Sequence, residues 1–249
     1  MIHRRPGHLL VIGAQRSGSS YLSAALDAHP QITMARPPWP EPKVFCDSDQ
    51  AARGLEWYHE TWFAHARDEQ LLGDKSTSYL EDPKAPVRAA DMLGEVQVVA
   101  VLRDPVQRAV SNWRFSTGHG LETRPLEVAL RADLEAEQPW DRTRTSVSPF
   151  AYVRRGRYLE YLEPWTATFP DTTHVVLTEE LLADPAVLDG LFRDLGVDPD
   201  AAPAPPSEPV NTSVGDPPVL SEALVGTLQS YFEASNAALS ARLGRTLPW

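Results

Sequence analysis

The stretch HLLVIGAQRSGSSYLSAAL, residues 8–26, decides the fold of this chain. Its apolar run from Leu9 to Ile12 is typical of a buried strand, and a glycine-rich turn and a helical pattern follow directly. A strand that feeds such a turn aims backbone N–H groups and the positive end of a helix dipole at one point, which suits an anion. The stretch therefore predicts a βα unit with an anion site in its turn.

The spacing of this turn is that of a P-loop, G-x-x-x-x-G-K-[ST], with one departure. Gly13 and Gly18 stand at the two glycine positions, but Ser19 stands where the lysine belongs. Nucleoside triphosphatases need that lysine at the β- and γ-phosphates, so the departure disfavours triphosphate chemistry. The nearest cation is Arg16, and the turn suits a less charged phosphate. The expected ligand contacts are Gly13, Gln15, Arg16, Ser17, Gly18, Ser19 and Ser20.

A second motif, VQVVAVLRDPVQRAVSNW, covers residues 96–113. Val96 to Leu102 is another buried-strand run, Arg103 stands at its carboxyl end, and Pro105 fits the first position of a helix. Ser111 lies two turns into that helix, so Arg103 and Ser111 can reach one phosphate over the helix start. Ligands of open α/β sheets bind at the carboxyl ends of strands, where both motifs lie.

Together with further blocks of sequence, the two motifs resemble a known family, the PAPS-dependent sulfotransferases. These enzymes transfer a sulfuryl group from 3′-phosphoadenosine 5′-phosphosulfate (PAPS) to an acceptor and release 3′-phosphoadenosine 5′-phosphate (PAP). The resemblance covers most of residues 8–185 and is closest to the heparan sulfate and glycosaminoglycan-type branch and its bacterial relatives. The additional blocks are PEPKVFCD (40–47), GLEWYHETW (54–62), GDKSTSYL (73–80), GHGLE (118–122) and RRGRY (154–158).

The resemblance implies a donor site with two halves. The strand–loop–helix of residues 9–22 is expected to bind the 5′-phosphosulfate, with Arg16 at the position of the family's loop cation. Arg103 and Ser111 are expected at the 3′-phosphate, with Arg155 and Gly156 near that phosphate and the adenosine. No metal-ligand spacing accompanies these motifs, so PAPS is expected to be used without a metal.

The resemblance also implies the groups that carry the chemistry. Glu41 falls at the glutamate of the family's K-E-P-H-F-F-D segment and is the expected general base, with a solvated loop carboxylate as the alternative. His119, after the second motif, is the second candidate for the base. Lys75 and Arg16 are the expected charge stabilisers. Asp74 is expected to hold Lys75, and the alternative is that these two residues form an ordinary exposed ion pair.

Composition limits the classes of partner. The 249 residues carry a formal net charge of −11, which disfavours nucleic acid and makes a long polyanionic acceptor a poor match. The single cysteine, Cys46, excludes an internal disulfide and fits a reducing cytoplasm. No apolar run approaches the roughly 20 residues of a membrane span, so we expect a cytoplasmic enzyme with no membrane partner, as a monomer or homodimer.

Strand and helix signals alternate along the chain, which predicts an α/β fold of the P-loop-like type with three layers and a central parallel sheet. We expect strands at 9–12, 71–74, 96–102 and 174–177. The expected helices are 51–66, 86–93, 105–116, 125–137, 151–168 and 185–195, besides the one in the first unit. The chain is expected to form one domain, 1–249, with a proline-rich loop at 198–218 and a C-terminal helix at 220–243.

The function predicted on these grounds is in-line transfer of a sulfuryl group from PAPS to a hydroxyl or amine. The acceptor is expected to be a small molecule, a natural product of secondary metabolism or a short glycan. Two alternatives stay open at this point. One is a P-loop-like phosphotransferase or kinase, which the missing lysine disfavours, and the other is a catalytically silent nucleotide-binding protein.

Overall fold

The computed structural model of the chain describes residues 6–141, 143–204 and 218–249. The strands in these residues are β1 (Gly7–Gly13), β2 (Ile32–Met34), β3 (Leu71–Lys75), β4 (Gln97–Leu102) and β5 (Thr173–Leu177). The helices are α1 (Ser19–Ala28), α2 (Ser48–Ala51), α3 (Gly54–Trp62), α4 (Ala85–Leu93), α5 (Pro105–Gly118), α6 (Leu126–Glu135), α7 (Tyr158–Thr168), α8 (Thr178–Ala183), α9 (Pro185–Asp194) and α10 (Glu222–Leu243).

Backbone contacts divide the chain into two compact units. The first unit comprises Met1–Leu102 and Glu163–Asn211, and the second comprises Arg103–Leu162 and Thr212–Trp249. The helix α7 begins in the second unit and ends in the first.

The first unit is built on a parallel five-stranded sheet flanked by helices. The strand order is β2-β3-β1-β4-β5, and every neighbouring pair is parallel. The central strands β1 and β4 are buried on both faces and read as continuous apolar runs, and Leu9 to Ile12 are fully buried. The chain leaves β1 for β2 and β3 on one side and returns to β4 on the other. The carboxyl end of β1 is therefore the point where ligands of such sheets bind.

The helix α1 follows β1 because its apolar residues recur at helical spacing. Leu22, Ala25 and Leu26 lie on one face, are buried, and pack in a cluster with Leu9 and Val11 of β1. Each fully buried leucine contributes about 1.5–3 kcal/mol. The packing of this face sets the direction from which α1 approaches the turn before it.

The second unit is helical, and its α5 begins with a strong start signal. Asp104 caps the helix by accepting hydrogen bonds from the N–H groups of Val106 and Gln107, and Pro105 occupies the first turn. A 3₁₀ turn, Arg154–Gly156, packs between this helix start and α10. The helices α5, α6 and α10 share a core that includes Ala109, Leu126, Ala129, Leu130, Leu224, Leu228 and Phe232.

The fold class predicted from the sequence is confirmed, while several element boundaries differ. The strand β2 was not predicted because it has three residues and a proline-rich stretch follows. The expected helix 51–66 is divided into α2 and α3, because Gly54 has a left-handed φ of 83° at the break. The helix expected from residue 151 begins only at Tyr158. Before it, the Val153 N–H donates to the Asp133 carboxylate and not to a helical carbonyl. Most of the proline-rich loop 198–218 lies outside the described residues.

Candidate active site

The turn between β1 and α1 is fixed by its own backbone. The Ala14 N–H donates to the Val101 carbonyl of β4 (2.7 Å), and the Ser17 N–H donates to the Ala14 carbonyl (3.3 Å). Arg16 and Gly18 adopt left-handed φ values of 65° and 82°. Arginine rarely adopts this conformation, so the surrounding structure imposes the shape of the turn.

The start of α1 leaves its first N–H groups for a ligand. The first hydrogen bond within the helix runs from the Leu22 N–H to the Gly18 carbonyl (3.1 Å). The N–H groups of Ser19, Ser20 and Tyr21 therefore have no acceptor within the helix. Within the described residues, no side chain caps α1, and its first turn carries no acidic residue. This helix end suits a phosphate or sulfate group.

Ser17 adds a buried hydroxyl to the turn. It is fully buried, and its Oγ has no hydrogen-bond partner in the part of the chain that the structure describes. Its carbonyl is held instead by the Thr178 hydroxyl, which donates to the carbonyls of Ser17 (2.6 Å) and Leu102 (2.8 Å). Thr178 was missed from the sequence, although its place directly after the β5 strand was a usable signal. A buried hydroxyl without a partner is costly, and a bound anion would give it an acceptor.

Glu41 and Lys75, both expected to be catalytic, lie in direct contact. The Lys75 Nζ donates to Glu41 Oε1 at 2.8 Å, and the two side chains are 14% and 7% exposed. Thr77 holds the other side of the carboxylate, with its N–H donating to Oε2 at 3.0 Å and its hydroxyl to Oε2 at 3.1 Å. Glu41 is therefore no solvated loop carboxylate. Thr77, which follows the DKS block directly, was not singled out from the sequence.

This ion pair adjoins the turn after β1 through the sheet register. Lys75 is paired with Val11, two residues before the end of β1. Gly13 has a φ of 143°, which residues with a side chain rarely adopt, and a Cβ added to it would lie 3.1 Å from the Thr77 carbonyl. The threonine that holds Glu41 thus packs against the residue from which the turn begins. The first unit therefore brings the anion turn and the Glu41–Lys75 pair together.

Asp74 does not hold Lys75, contrary to the expectation from the sequence. Neighbouring residues of a strand point to opposite faces, and the Asp74 carboxylate lies fully buried on the other face. It accepts hydrogen bonds from Tyr79 Oη (2.6 Å), Ser76 Oγ (2.8 Å) and Tyr58 Oη (3.2 Å). Burial raises the pKa of Asp74 to about 6, against the lowering effect of these three donors. The alternative of an exposed Asp74–Lys75 ion pair is also wrong.

The second unit carries the residues expected at a 3′-phosphate. Arg103 is partly exposed, its Nη2 donates to Gln107 Oε1 (3.0 Å), and its carbonyl accepts from Tyr158 Oη (2.6 Å). Ser111 lies two turns along α5 and is also partly exposed. Because both side chains are partly exposed, a bound ligand could contact them. Their assignment to the 3′-phosphate stays a prediction.

Arg155 and Gly156 have structural roles that the sequence did not predict. Arg155 is 1% exposed, and its guanidinium donates to Asn112 Oδ1 and to the Ser148 carbonyl (2.8 Å). This burial among protein acceptors argues against a direct nucleotide contact by the side chain. A Cβ on Gly156 would lie 2.7 Å from both Phe232 and Pro105, so the glycine permits close packing.

His119 is an exposed residue at the end of α5. Its Nδ1 lies 2.8 Å from the Phe115 carbonyl, and its ring packs on the Phe115 ring. Ser111 lies eight residues earlier, which is roughly 12 Å along the helix axis. The structure therefore does not bring His119 to the Arg103–Ser111 end of the helix.

Comparison with known proteins agrees with this arrangement. The family model of the sulfotransferase domain matches residues 6–187. The chain belongs to the sulfotransferase family. The resemblance stated from the motifs is thereby confirmed, and the donor used in this family is PAPS.

Relatives of the chain include enzymes named for heparan sulfate. The mouse heparan sulfate glucosamine 3-O-sulfotransferase 3A1 is 29% identical over 71% of this chain and 42% of its own length. The bifunctional heparan sulfate N-deacetylase/N-sulfotransferase 1 of Caenorhabditis briggsae is 28% identical over 74% of this chain. The match spans only 22% of that relative's length, so the chain is similar to about a fifth of it.

A solved structure extends the similarity to the whole chain. The crystal structure of a sulfotransferase from Alicyclobacillus acidocaldarius superposes with a TM-score of 0.78 and 25% identity, covering 98% of each chain.

Two further findings concern the described residues. None of their helices is long and apolar enough to cross a membrane. They contain no cluster of three or more His, Cys, Asp or Glu side chains that could hold a metal ion.

Proposed function

We propose that this protein transfers a sulfuryl group from PAPS to a hydroxyl or amine of a small molecule, a natural product or a short glycan. One observation carries the proposal. The Glu41–Lys75 ion pair, held by Thr77, adjoins the turn whose helix N-terminus suits an anionic sulfate or phosphate. A proton acceptor, a cation and an anion site in one place are what sulfuryl transfer requires.

The donor would be held first by the turn after β1. The N–H groups of Ser19, Ser20 and Tyr21 and the buried Ser17 hydroxyl supply hydrogen bonds to the 5′-phosphosulfate, and Arg16 supplies charge. The family resemblance supports Arg103 and Ser111 as the residues that bind the 3′-phosphate.

At sulfur, the transfer step makes one bond and breaks one, and a proton moves from the acceptor to Glu41. The acceptor oxygen or nitrogen attacks sulfur in line as the bond between sulfur and the bridging phosphate oxygen breaks, and PAP leaves with that electron pair. Glu41 takes the acceptor proton at Oε1, because Lys75 occupies one lone pair of this oxygen while the Thr77 N–H and hydroxyl both bind Oε2. Lys75 and Arg16 stabilise the charge that develops on the leaving oxygen.

The acceptor class is proposed from charge and from the relatives. The two relatives described above carry heparan sulfate in their names, which supports a sugar hydroxyl or amine as the target. The net charge of −11 favours a smaller acceptor over a long polyanionic chain. A cytoplasmic location is part of the proposal and rests on the single Cys46.

Two experiments test this function. PAP should raise the melting temperature of the protein without Mg²⁺, whereas ATP with Mg²⁺ should not, since only a binder of the folded state stabilises it. The reverse result would favour a kinase. The second experiment measures the sulfated product formed from PAPS with a panel of phenols, amines, natural products and short glycans. If the protein binds PAP but sulfates none of these acceptors, the alternative of a catalytically silent nucleotide-binding protein is favoured.

The proton acceptor is tested by substitution. Glu41→Gln keeps the shape of the side chain but cannot take a proton, so kcat should fall by roughly 10²- to 10⁴-fold while PAP affinity stays nearly unchanged. Thr77→Val is the matched control, because it removes one hydroxyl from the same carboxylate and should cost less than about tenfold. His119→Asn should leave kcat unchanged. An active Glu41→Gln enzyme beside an inactive His119→Asn enzyme would refute the assignment.

A further inference from the structure

A buried network behind the proposed active site centres on Asp74. Its carboxylate is fully buried, as are its three donors, the hydroxyls of Tyr58, Ser76 and Tyr79. None of these groups contacts the Glu41 carboxylate, which is bound on the opposite face of β3 by Lys75 and by Thr77. The network therefore needs an explanation that the transfer step does not provide.

One branch of the network leads to the segment that carries Glu41. Ser76 donates its hydroxyl proton to Asp74 Oδ1 (2.8 Å) and accepts a hydrogen bond from the Lys43 N–H (2.9 Å). Because Asp74 takes the proton, the lone pairs of Ser76 Oγ face the Lys43 amide. Lys43 lies two residues after Glu41 and has a left-handed φ of 53°, which a residue other than glycine rarely adopts.

The segment needs such an anchor because it lacks regular structure. Residues 36–43 include four prolines and belong to no helix or strand. Before the prolines, the Ala35 N–H donates a hydrogen bond to the Gly73 carbonyl of β3 (2.7 Å). After them, Ser76 binds the Lys43 amide, and Thr77 and Lys75 bind Glu41 itself. The strand β3 and the two residues after it thus hold both sides of the segment.

We propose that Asp74 is a positioning residue for sulfuryl transfer: it orients Ser76, which holds the Lys43 amide and so fixes the backbone from which Glu41 reaches Lys75. The proposal rests on the proposed function. Glu41 must lie within hydrogen-bond reach of the acceptor proton, and small displacements of such groups are costly in rate. The network sets that position without contacting substrate.

Ser76→Ala breaks the branch and tests the proposal. We expect kcat to fall by about 10- to 100-fold while the PAP dissociation constant stays within about twofold of wild type. Ser76→Thr keeps the hydroxyl and should restore most of the rate. Tyr58→Phe is the matched control, because it removes a donor from the same carboxylate without touching the Lys43 branch, and its kcat should stay near wild type.

A readout independent of activity separates this proposal from the proposed function. Hydrogen exchange of the Lys43 amide should be faster in Ser76→Ala and in Asp74→Asn than in wild type and Tyr58→Phe. Unchanged exchange at Lys43 would overturn the proposal, whatever the activity. So would a rate loss in Tyr58→Phe equal to that of Ser76→Ala, since this would indicate general destabilisation. Absence of transfer by the wild-type protein, with faster Lys43 exchange in the variants, would refute the proposed function and leave the anchoring of the segment intact.

Discussion

Ser17→Ala should change stability and ligand binding in opposite directions. In the free protein the Ser17 hydroxyl is fully buried and finds no partner among the described residues. Leaving a buried hydroxyl unpaired costs about 1–3 kcal/mol, and alanine removes that cost with little loss of packing. We therefore expect the free energy of unfolding to rise by about 1 kcal/mol, which is roughly 2–4 °C in melting temperature for a chain of this size.

Binding of the donor product should weaken in the same variant. If Ser17 donates to the charged 5′-phosphate of PAP, the lost hydrogen bond is worth about 1.5–3 kcal/mol. This corresponds to a dissociation constant raised by roughly 10- to 150-fold, since 1.4 kcal/mol is a factor of ten. Thermal unfolding without ligand and calorimetric titration with PAP measure the two effects separately.

Ser116→Ala is the matched control for this prediction. Ser116 is equally buried, but its hydroxyl donates to the Pro149 carbonyl at 2.8 Å. Its removal leaves that carbonyl with only the longer hydrogen bond from Asn112 Nδ2 (3.3 Å) and should lower stability by about 1 kcal/mol. A Ser17→Ala protein that loses stability as Ser116→Ala does, or that binds PAP as tightly as wild type, would refute the reasoning about the turn.

The other predictions concern the 3′ side, a packed glycine and a histidine pair. Arg103→Ala should weaken PAP by about 1.5–3 kcal/mol and adenosine 5′-phosphate much less; equal weakening of both ligands in titrations would remove Arg103 from the 3′-phosphate. Gly156→Ala places a Cβ 2.7 Å from Phe232 and Pro105, so the urea midpoint should fall by the equivalent of about 1–3 kcal/mol, and an unchanged midpoint would contradict the packing. Burial and the nearby His59 lower the pKa of His8 to about 4 from 6.5. The folded state thus binds that proton less tightly, and stability should be lost as pH falls from 6.5 to 4, by about 3 kcal/mol; His8→Gln should flatten this slope in unfolding measured against pH.

The parts predicted correctly from the sequence are those decided by local pattern. A buried parallel strand gives an unbroken apolar run, and Gly13 and Gly18 stand where the turn needs φ values of 143° and 82°. The capped start of α5, with Asp104 before Pro105, is equally local. These features determine the fold class and the shape of the turn after β1.

The parts that were missed depend on register and burial. Glu41 and Lys75 are 34 residues apart, and their contact depends on how a proline-rich segment folds back over β3. Sequence similarity assigned both to the catalytic groups but did not predict that they form an ion pair with each other. The separation of Asp74 from Lys75 can be predicted from the sequence. Neighbouring residues of a strand point to opposite faces, so Asp74 lies on the face opposite Lys75. The burial of Arg155 could not be read from the RRG block, since an arginine pattern does not indicate which guanidinium faces inward.

The position of Glu41, the proposed proton acceptor, is determined by the sheet more than by its own segment. In-line transfer requires the acceptor atom, the sulfur and the base to be positioned relative to one another to within a few tenths of an ångström. Loops hold side chains less precisely than strands or helices do. Here Glu41 comes from a loop, but every hydrogen bond that the described residues donate to its carboxylate comes from Lys75 or Thr77 at the end of β3. Since β3 pairs with β1, and Gly13 packs against Thr77, the proposed base and the turn after β1 are held by the same two strands. The loop supplies the carboxylate, and two neighbouring strands determine where it stands.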